Sequence, residues 1–318
     1  MANNLTLEDI NNLYFWATKL EEGITFGEIE SKEDILNLTY IDARNSLPKE
    51  VFKLNRLECL KIYVEDLTEL PKEIGNLTNL KSLTIECPNL NELPKEIGNL
   101  INLGQDYKRY YNDCDQEGGL FIYSSNIKEI PKEIGNLTNL GRLSIDSNNL
   151  SELPKEIGNL NNLKYLWIGC PNLNELPKEI GNLNNLKSLT IECPNLNELP
   201  KEIGNFNNLE WLIIECHNLN ELPKEIGNLN NLKKLEIKCT NLKELPKEIG
   251  NLNNLKSLEI KCSNLKELPK EIWNLSEFEV EFDIKNNNNK ELLKYIVDSP
   301  NNENKDVELK IVIKEKKD

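Results

Sequence analysis

The residues best suited to chemistry in this chain are its thiols and its one imidazole, and their spacing argues against most of what they could do. Six of the eight cysteines, Cys87, Cys170, Cys193, Cys216, Cys239 and Cys262, hold the same place in a recurring segment. Four thiolates must converge on a zinc ion at about 2.3 Å, whereas ligands delivered once per repeat form a line. Neighbours in that line are near enough to oxidise in pairs, but no C-x-x-C occurs. The reading is a column of reduced, buried structural thiols rather than a disulfide framework or a metal site. Cys59 and Cys114 stand outside the column, and Cys114 is expected to be exposed. His217, the only histidine, fills a slot taken elsewhere by Pro194, Thr240 and Ser263 and reads as a turn residue. A nucleophile would have to reach it across a rigid stack. With no glycine-rich phosphate loop, no histidine ligands and no paired-carboxylate pocket, the sequence indicates no catalytic residue, no metal and no cofactor, and the chain is expected not to be an enzyme.

The elements that must position these residues come from the repeat itself. Ten copies of [LI]-P-K-E-[IV] place prolines at Pro48, Pro71, Pro94, Pro131, Pro154, Pro177, Pro200, Pro223, Pro246 and Pro269, at intervals of 23 except for one of 37. The surplus is a 14-residue insertion at 104–117, GQDYKRYYNDCDQE, expected as a surface loop beside the rim of the sheet. Counting Leu186 as position 1, the next unit is apolar at positions 1, 4, 6, 11, 14, 18 and 21. Leu189 and Ile191 alternate as in a strand, then Leu199, Ile203 and Phe206 step by three and four. Each unit is therefore a short strand, a turn and a short helical or 3₁₀ piece. Pro200 begins the second piece, and Gly204 is expected to permit the bend toward the next strand. A lone unit hides too few of its apolar residues to offset roughly 1–2 kcal/mol of ordering per residue. Stacked at about 4.8 Å, the strands form one parallel sheet with a continuous core, curved with the sheet inside.

The pattern L-x-x-L-x-[IL]-x-x-x-N-[LI]-x-x-L-P-x-x-[IV]-x-x-L, from roughly Leu47 to Leu275, resembles the leucine-rich-repeat family. The LPKEIGNL segment is similar to the Ras-group type of bacteria and plants. The resemblance implies an α/β solenoid, a horseshoe with a parallel concave β-sheet and short helical or 3₁₀ convex segments, that serves protein–protein contact without shared catalytic residues. It also implies an asparagine that bonds the backbone of neighbouring units at the Asn148 position, where most units instead carry pairs such as Cys193 and Asn195. The expected organisation is an N-terminal cap at 1–46, a repeat array at 47–277 and a C-terminal cap at 278–318. In the first cap Thr6-Leu7-Glu8-Asp9 resembles a capping box before a helix at about 7–21, with Leu7, Ile10, Leu13, Tyr14, Ala17 and Leu20 at helical spacing, and a first irregular strand lies within Ile35 to Ala43. In the second, the alternation Phe278, Val280, Phe282, Ile284 leads to an Asn-rich loop, a helix near 290–298 and a strand from Val307.

The 38 basic and 53 acidic residues give a net charge of −15, which argues against nucleic acid as a partner. No apolar run approaches the roughly 18 residues of a membrane span. The first residues show no basic start and apolar run, so a cytoplasmic location is expected. The Lys and Glu of each PKEI read as a solvated outer face.

What remains are positions 3, 5 and 7, which alternate outward from the core leucines. Position 5 reads Lys61, Thr84, Phe121, Ser144, Trp167, Thr190, Ile213, Glu236, Glu259; position 3 adds Tyr165 and Trp211, and position 7 adds Tyr63 and Tyr123. Exposed aromatics in a cluster are costly in water and typical of binding hot spots. The expected partner-binding residues are therefore Phe121, Tyr123, Tyr165, Trp167, Trp211 and Ile213, with Asp146, Glu192 and Glu215 as an acidic surround. The alternative is that the aromatics stack on one another or lie under the insertion. A protein or peptide with an apolar centre and a basic rim would match. The first functional reading is an intracellular bacterial binding module; the second is a secreted or surface-exposed effector or adhesin that engages a host protein.

Overall fold

The computed structural model describes residues 5–19, 29–104 and 118–275 in full, and the backbone of the strands at 23–25, 279–282 and 311–313. The chain forms two compact units, 1–163 and 164–318.

The first unit opens with helix α1 (Leu7–Thr18), begun by a capping box in which Thr6 and Asp9 satisfy each other's backbone. Its buried stripe is Asp9, Leu13 and Trp16, while Leu7 is 72% exposed. The helix is shorter than expected, and of its expected stripe Ile10, Leu13, Tyr14 and Ala17 are buried or half-buried while Leu7 turns to solvent and Asp9 and Trp16 turn in. Two polar anchors hold Asp9 and Trp16 inward: Asp9 accepts from Lys53 Nζ at 2.8 Å, and Trp16 donates its indole N–H to Ser46 at 2.9 Å. After β1 (Gly23–Thr25) and a single helical turn α2 (Lys32–Ile35) come β2 (Tyr40–Ala43), β3 (Cys59–Ile62), β4 (Ser82–Glu86), β5 (Leu120–Tyr123) and β6 (Arg142–Asp146). β1 runs antiparallel to β2, and β2 to β6 form a parallel ladder. Leu83 pairs with Leu120 and Ile85 with Ile122, so the insertion leaves the register of the ladder unbroken. Gly104 has φ 86°, and a Cβ there would stand 2.5 Å from Gly141 N, so only glycine fits where the insertion departs. Residues 105–117, with Tyr107, Tyr110, Tyr111, Cys114 and the expected surface loop, lie outside the described residues.

The second unit repeats the plan in β7 (Tyr165–Gly169), β8 (Ser188–Glu192), β9 (Trp211–Glu215), β10 (Lys234–Ile237) and β11 (Ser257–Ile260), all parallel and in register. β12 (Glu279–Phe282) continues on β11, and β13 (Ile311–Ile313) on β12. The Asn-rich loop and the helix expected near 290–298 lie outside the described residues.

In both units a five-residue 3₁₀ turn follows each LP, for example Lys201–Asn205. Pro200 caps it with φ −64°, its carbonyl accepting from Ile203 N at 3.0 Å. Proline suits this place because its fixed φ is already correct and its missing N–H would have no partner there. Gly204 has another reason than the expected bend. Among the described glycines only Gly104 has positive φ, whereas a Cβ on Gly204 would meet Glu225 O at 2.5 Å. Glycine is required because the next repeat's backbone packs directly on it. In the last repeat Trp273 takes that position and is 7% exposed.

Two ladders of side chains lock the repeats. The position-8 thiols point inward and donate to the strand carbonyl of the preceding repeat, as from Cys193 to Ile168 O at 3.6 Å and from Cys262 to Ile237 O at 3.7 Å. Ser124 and Ser147 take the same position and bond to Leu90 O and Ile127 O at 3.0 and 2.7 Å. The asparagine ladder lies elsewhere than at Asn148. It is carried by the residue before position 1, as in Asn208 to Asn184 O at 2.8 Å and Asn231 to Asn207 O at 2.6 Å.

Candidate partner-binding face

A strand residue that does not point into the leucine core must point to the opposite face of its sheet, so each strand offers positions 3, 5 and 7 to solvent. On the first unit, Tyr123 and Asp146 are half-buried. Phe121 departs from expectation: it is only 8% exposed, beside Ser144, which is buried as well. Its ring lies back over position 3 of its own strand, where a Cβ on Gly119 would stand 3.2 Å from Phe121 Cε2. The glycine provides a seat that removes the phenyl group from water.

The second unit shows the same device with a different outcome. A Cβ on Gly169, at position 7 of β7, would stand 2.6 Å from Trp167 Cη2. The indole therefore lies along the sheet over Gly169, and its Nε1–H donates to Glu192 Oε1 on β8 at 3.1 Å. Trp167 stays half-buried, as do Tyr165 and Ile213, while Trp211 is 38% exposed. The strand register sets Tyr165, Ser188 and Trp211 in one row and Trp167, Thr190 and Ile213 in the next. Large side chains on β7 and β9 thus flank small ones on β8, across two strand spacings of about 4.8 Å each. Tyr165 and Trp211 flank Ser188, and Trp167 and Ile213 flank Thr190.

Charge is arranged unevenly around these rows. Lys238 Nζ reaches Glu236 at 2.7 Å and Glu215 at 3.4 Å, and Lys234 reaches Glu236 at 3.0 Å. Burial alone would raise the Glu236 carboxyl, but the ion pairs with Lys238 and Lys234 outweigh it and hold it below the ordinary range. Glu259 is likewise paired with Lys261. Glu192 differs, since among the described residues no cation stands within ion-pair distance of it. At the edge of the face Lys233 Nζ lies 5.8 Å from the Trp211 ring and pairs with Glu210 at 2.6 Å, a contact that counting only positions 3, 5 and 7 misses.

The thiols and the imidazole stay apart from this face. Cys87, Cys170, Cys193, Cys216 and Cys239 are fully buried. Burial pushes the Cys193 thiol up to about 11 and that of Cys216 to about 12, away from the reactive thiolate. His217 is exposed in its turn, 3.3 Å from Thr240 Oγ1.

A family model described as a leucine-rich repeat region matches residues 155–240 and 220–284. No curated protein matches the chain. Among solved structures, the leucine-rich-repeat domain of the type III effector XopL is 30% identical, with 67% of this chain and 71% of that one covered and a TM-score of 0.56. A leucine-rich-repeat protein of Leptospira interrogans is 28% identical over 92% of both chains, with a TM-score of 0.46. The ectodomain of the Arabidopsis receptor kinase HAESA, solved with a peptide hormone, is 24% identical over 75% of this chain and 40% of that one, with a TM-score of 0.52. With its 23-residue period, in-register parallel strands and 3₁₀ turns, and with the likeness to the XopL repeat domain, the chain belongs to the leucine-rich-repeat family.

Proposed function

We propose that the chain is a non-enzymatic scaffold that binds a protein or peptide through the outward faces of its strands, chiefly the β7–β9 face. The family's fold commonly mediates protein binding, and one observation carries the reading to this face. Trp211 is 38% exposed on a regular strand, in a row whose neighbours are Ser188 and Lys234. A large aromatic left in water is costly unless a partner covers it. Tyr165, Trp167 and Ile213 extend the apolar centre, and Glu192 and Glu215 border it. On the first unit Tyr123 and Asp146 are secondary contact residues; Phe121 offers little surface.

A cytoplasmic setting agrees with the thiol column, which needs reduced cysteines. The likeness to a type III effector domain favours, as a second reading, an exported protein acting on proteins of another organism, and detection of the chain outside its own cells would decide for it. No helix among the described residues is long and apolar enough to cross a membrane. The function is tested by capturing proteins on the intact chain and on Trp167→Ala/Trp211→Ala in parallel. A defined set of proteins lost from the variant supports the face; identical capture by both contradicts it.

A further inference from the structure

Resting on the reading of the β7–β9 face as a binding surface, we propose that its occupant is an extended, bipolar segment of the partner, lying along β8 and β9 with its acidic end over the strand starts and its basic end over the strand ends. The charges of the face are divided that way. Lys164 and Lys187 stand exposed immediately before β7 and β8, and in the same place before β9 the carboxylate of Glu210 is already held by Lys233 at 2.6 Å. At the other end the sign reverses. Glu192 and Glu215 close β8 and β9, Glu198 and Glu221 follow in the turns, and neither 188–199 nor 211–222 contains a lysine or arginine. Glu215 shares Lys238 at 3.4 Å, whereas Glu192 has no cation within ion-pair distance among the described residues.

The next two repeats lack this division. Lys238, Lys243, Lys261 and Lys266 enter the corresponding stretches, and the face neutralises its own carboxylates, Glu236 through Lys234 and Lys238 and Glu259 through Lys261. The polarity therefore coincides with the exposed apolar side chains: Trp211, 38% exposed, and the half-buried Ile213 lie between the two ends of β9, beside the small Ser188 and Thr190 of β8. A segment of one charge would be repelled at one end, so the face favours both signs on one segment. Lys187 and Glu192 are separated by five steps of chain, about 16 Å at ~3.3 Å per residue. An extended partner covers that distance in as many residues, with an apolar side chain between its acid and its base to lie against Trp211 and Ile213.

The test selects displayed random dodecapeptides, too short to be stable helices in water, on the intact chain. The tightest binder is expected to carry an acid and a base roughly four to six residues apart around an apolar residue. It is then remade twice, once with the acid and once with the base replaced by a neutral side chain of similar size, and each change should weaken it about three- to tenfold. Lys187→Gln should weaken the parent peptide by a similar factor and leave the acid-free peptide unaffected. Glu192→Gln, whose amide oxygen can still accept the Trp167 N–H, should do the same for the base-free peptide, and Lys256→Gln should change none of them. If neutralising either end has no effect while Trp211→Ala abolishes binding, or if the binders carry one sign of charge, the bipolar occupant is wrong and the binding face stands. Selected peptides indifferent to Trp167→Ala/Trp211→Ala, or no selected peptide at all, overturn both.

Discussion

At the scale of single residues, small side chains decide what large ones can do. Gly204 is fixed by the backbone of Glu225, 2.5 Å from where a Cβ would stand, and a backbone cannot swing aside as a flexible side chain can. Gly204→Ala is therefore expected to cost about 1–3 kcal/mol or more through overpacking, measured as a lower denaturation midpoint at unchanged slope. The thiol column makes a second prediction. Cys193 and Cys216 are fully buried and their thiols are pushed up to about 11 and 12 by that burial. At pH 8 the six column cysteines should react with a thiol reagent only after denaturant is added, and fast reaction in the native protein would refute their structural role. These residues also mark what the sequence disclosed. The column was legible from its spacing, and so was its burial. Its hydrogen bonding was not, although Ser124 and Ser147 at the same position were a usable sign that the site wants a donor. The seats at Gly119 and Gly169 were missed because glycine in a strand reads as weak propensity, whereas here Gly169 is defined by the Trp167 ring lying on it and Gly119 by the Arg142 backbone as well as the Phe121 ring.

At the scale of elements, strand and 3₁₀ turn were readable because apolar spacing switches from two to three and four within each unit. Of the apolar stripe expected on helix α1, Leu13 is buried and Ile10, Tyr14 and Ala17 are half-buried, but Leu7 is exposed, while Asp9 and Trp16, which the apolar count left out, are buried through their polar anchors. The Asp9 carboxyl is held down at about 2, against an ordinary 3.8, by the hydrogen bond from Lys53 and by the Thr6 backbone. A carboxylate depressed in the folded state contributes stability above its unfolded pKa and loses it as pH falls through the folded one. Docking of α1 should thus weaken between about pH 4 and pH 2, followed by the fluorescence of Trp16 in a variant lacking the other tryptophans. Asp9→Asn should abolish that dependence, and an unchanged acid transition would contradict the anchor. The insertion belongs to this scale as well. Because Leu83 still pairs with Leu120, deleting 104–117 sets Gly118 after Leu103 and restores the 23-residue period. A cooperative melt should survive the deletion, and loss of folded protein would show that the insertion helps to build the core.

At the scale of the whole molecule, a repeat protein separates the residues that build each unit from those that define its partner. The core positions recur and made the fold legible; the outward positions vary, so the sequence could nominate a face but not say which rings lie down, as Phe121 does, and which stand exposed, as Trp211 does. This separation is the central claim, and paired variants test it. Leu166 is 2% exposed and faces the core one residue from Trp167, so Leu166→Ala should cost about 2–5 kcal/mol of stability. Surface substitutions usually change stability by only about 0.5 kcal/mol, whereas losing a hot-spot aromatic costs about 2 kcal/mol or more of binding. The most direct measurement is the Kd of an identified partner for the parent and for Trp167→Ala/Trp211→Ala, with the melting temperature of each. The account predicts affinity weakened about thirtyfold or more and a melt within a few degrees of the parent. A variant that unfolds early, yet binds its partner with unchanged Kd where folded, would show that the two tryptophans serve the fold and that the partner binds elsewhere.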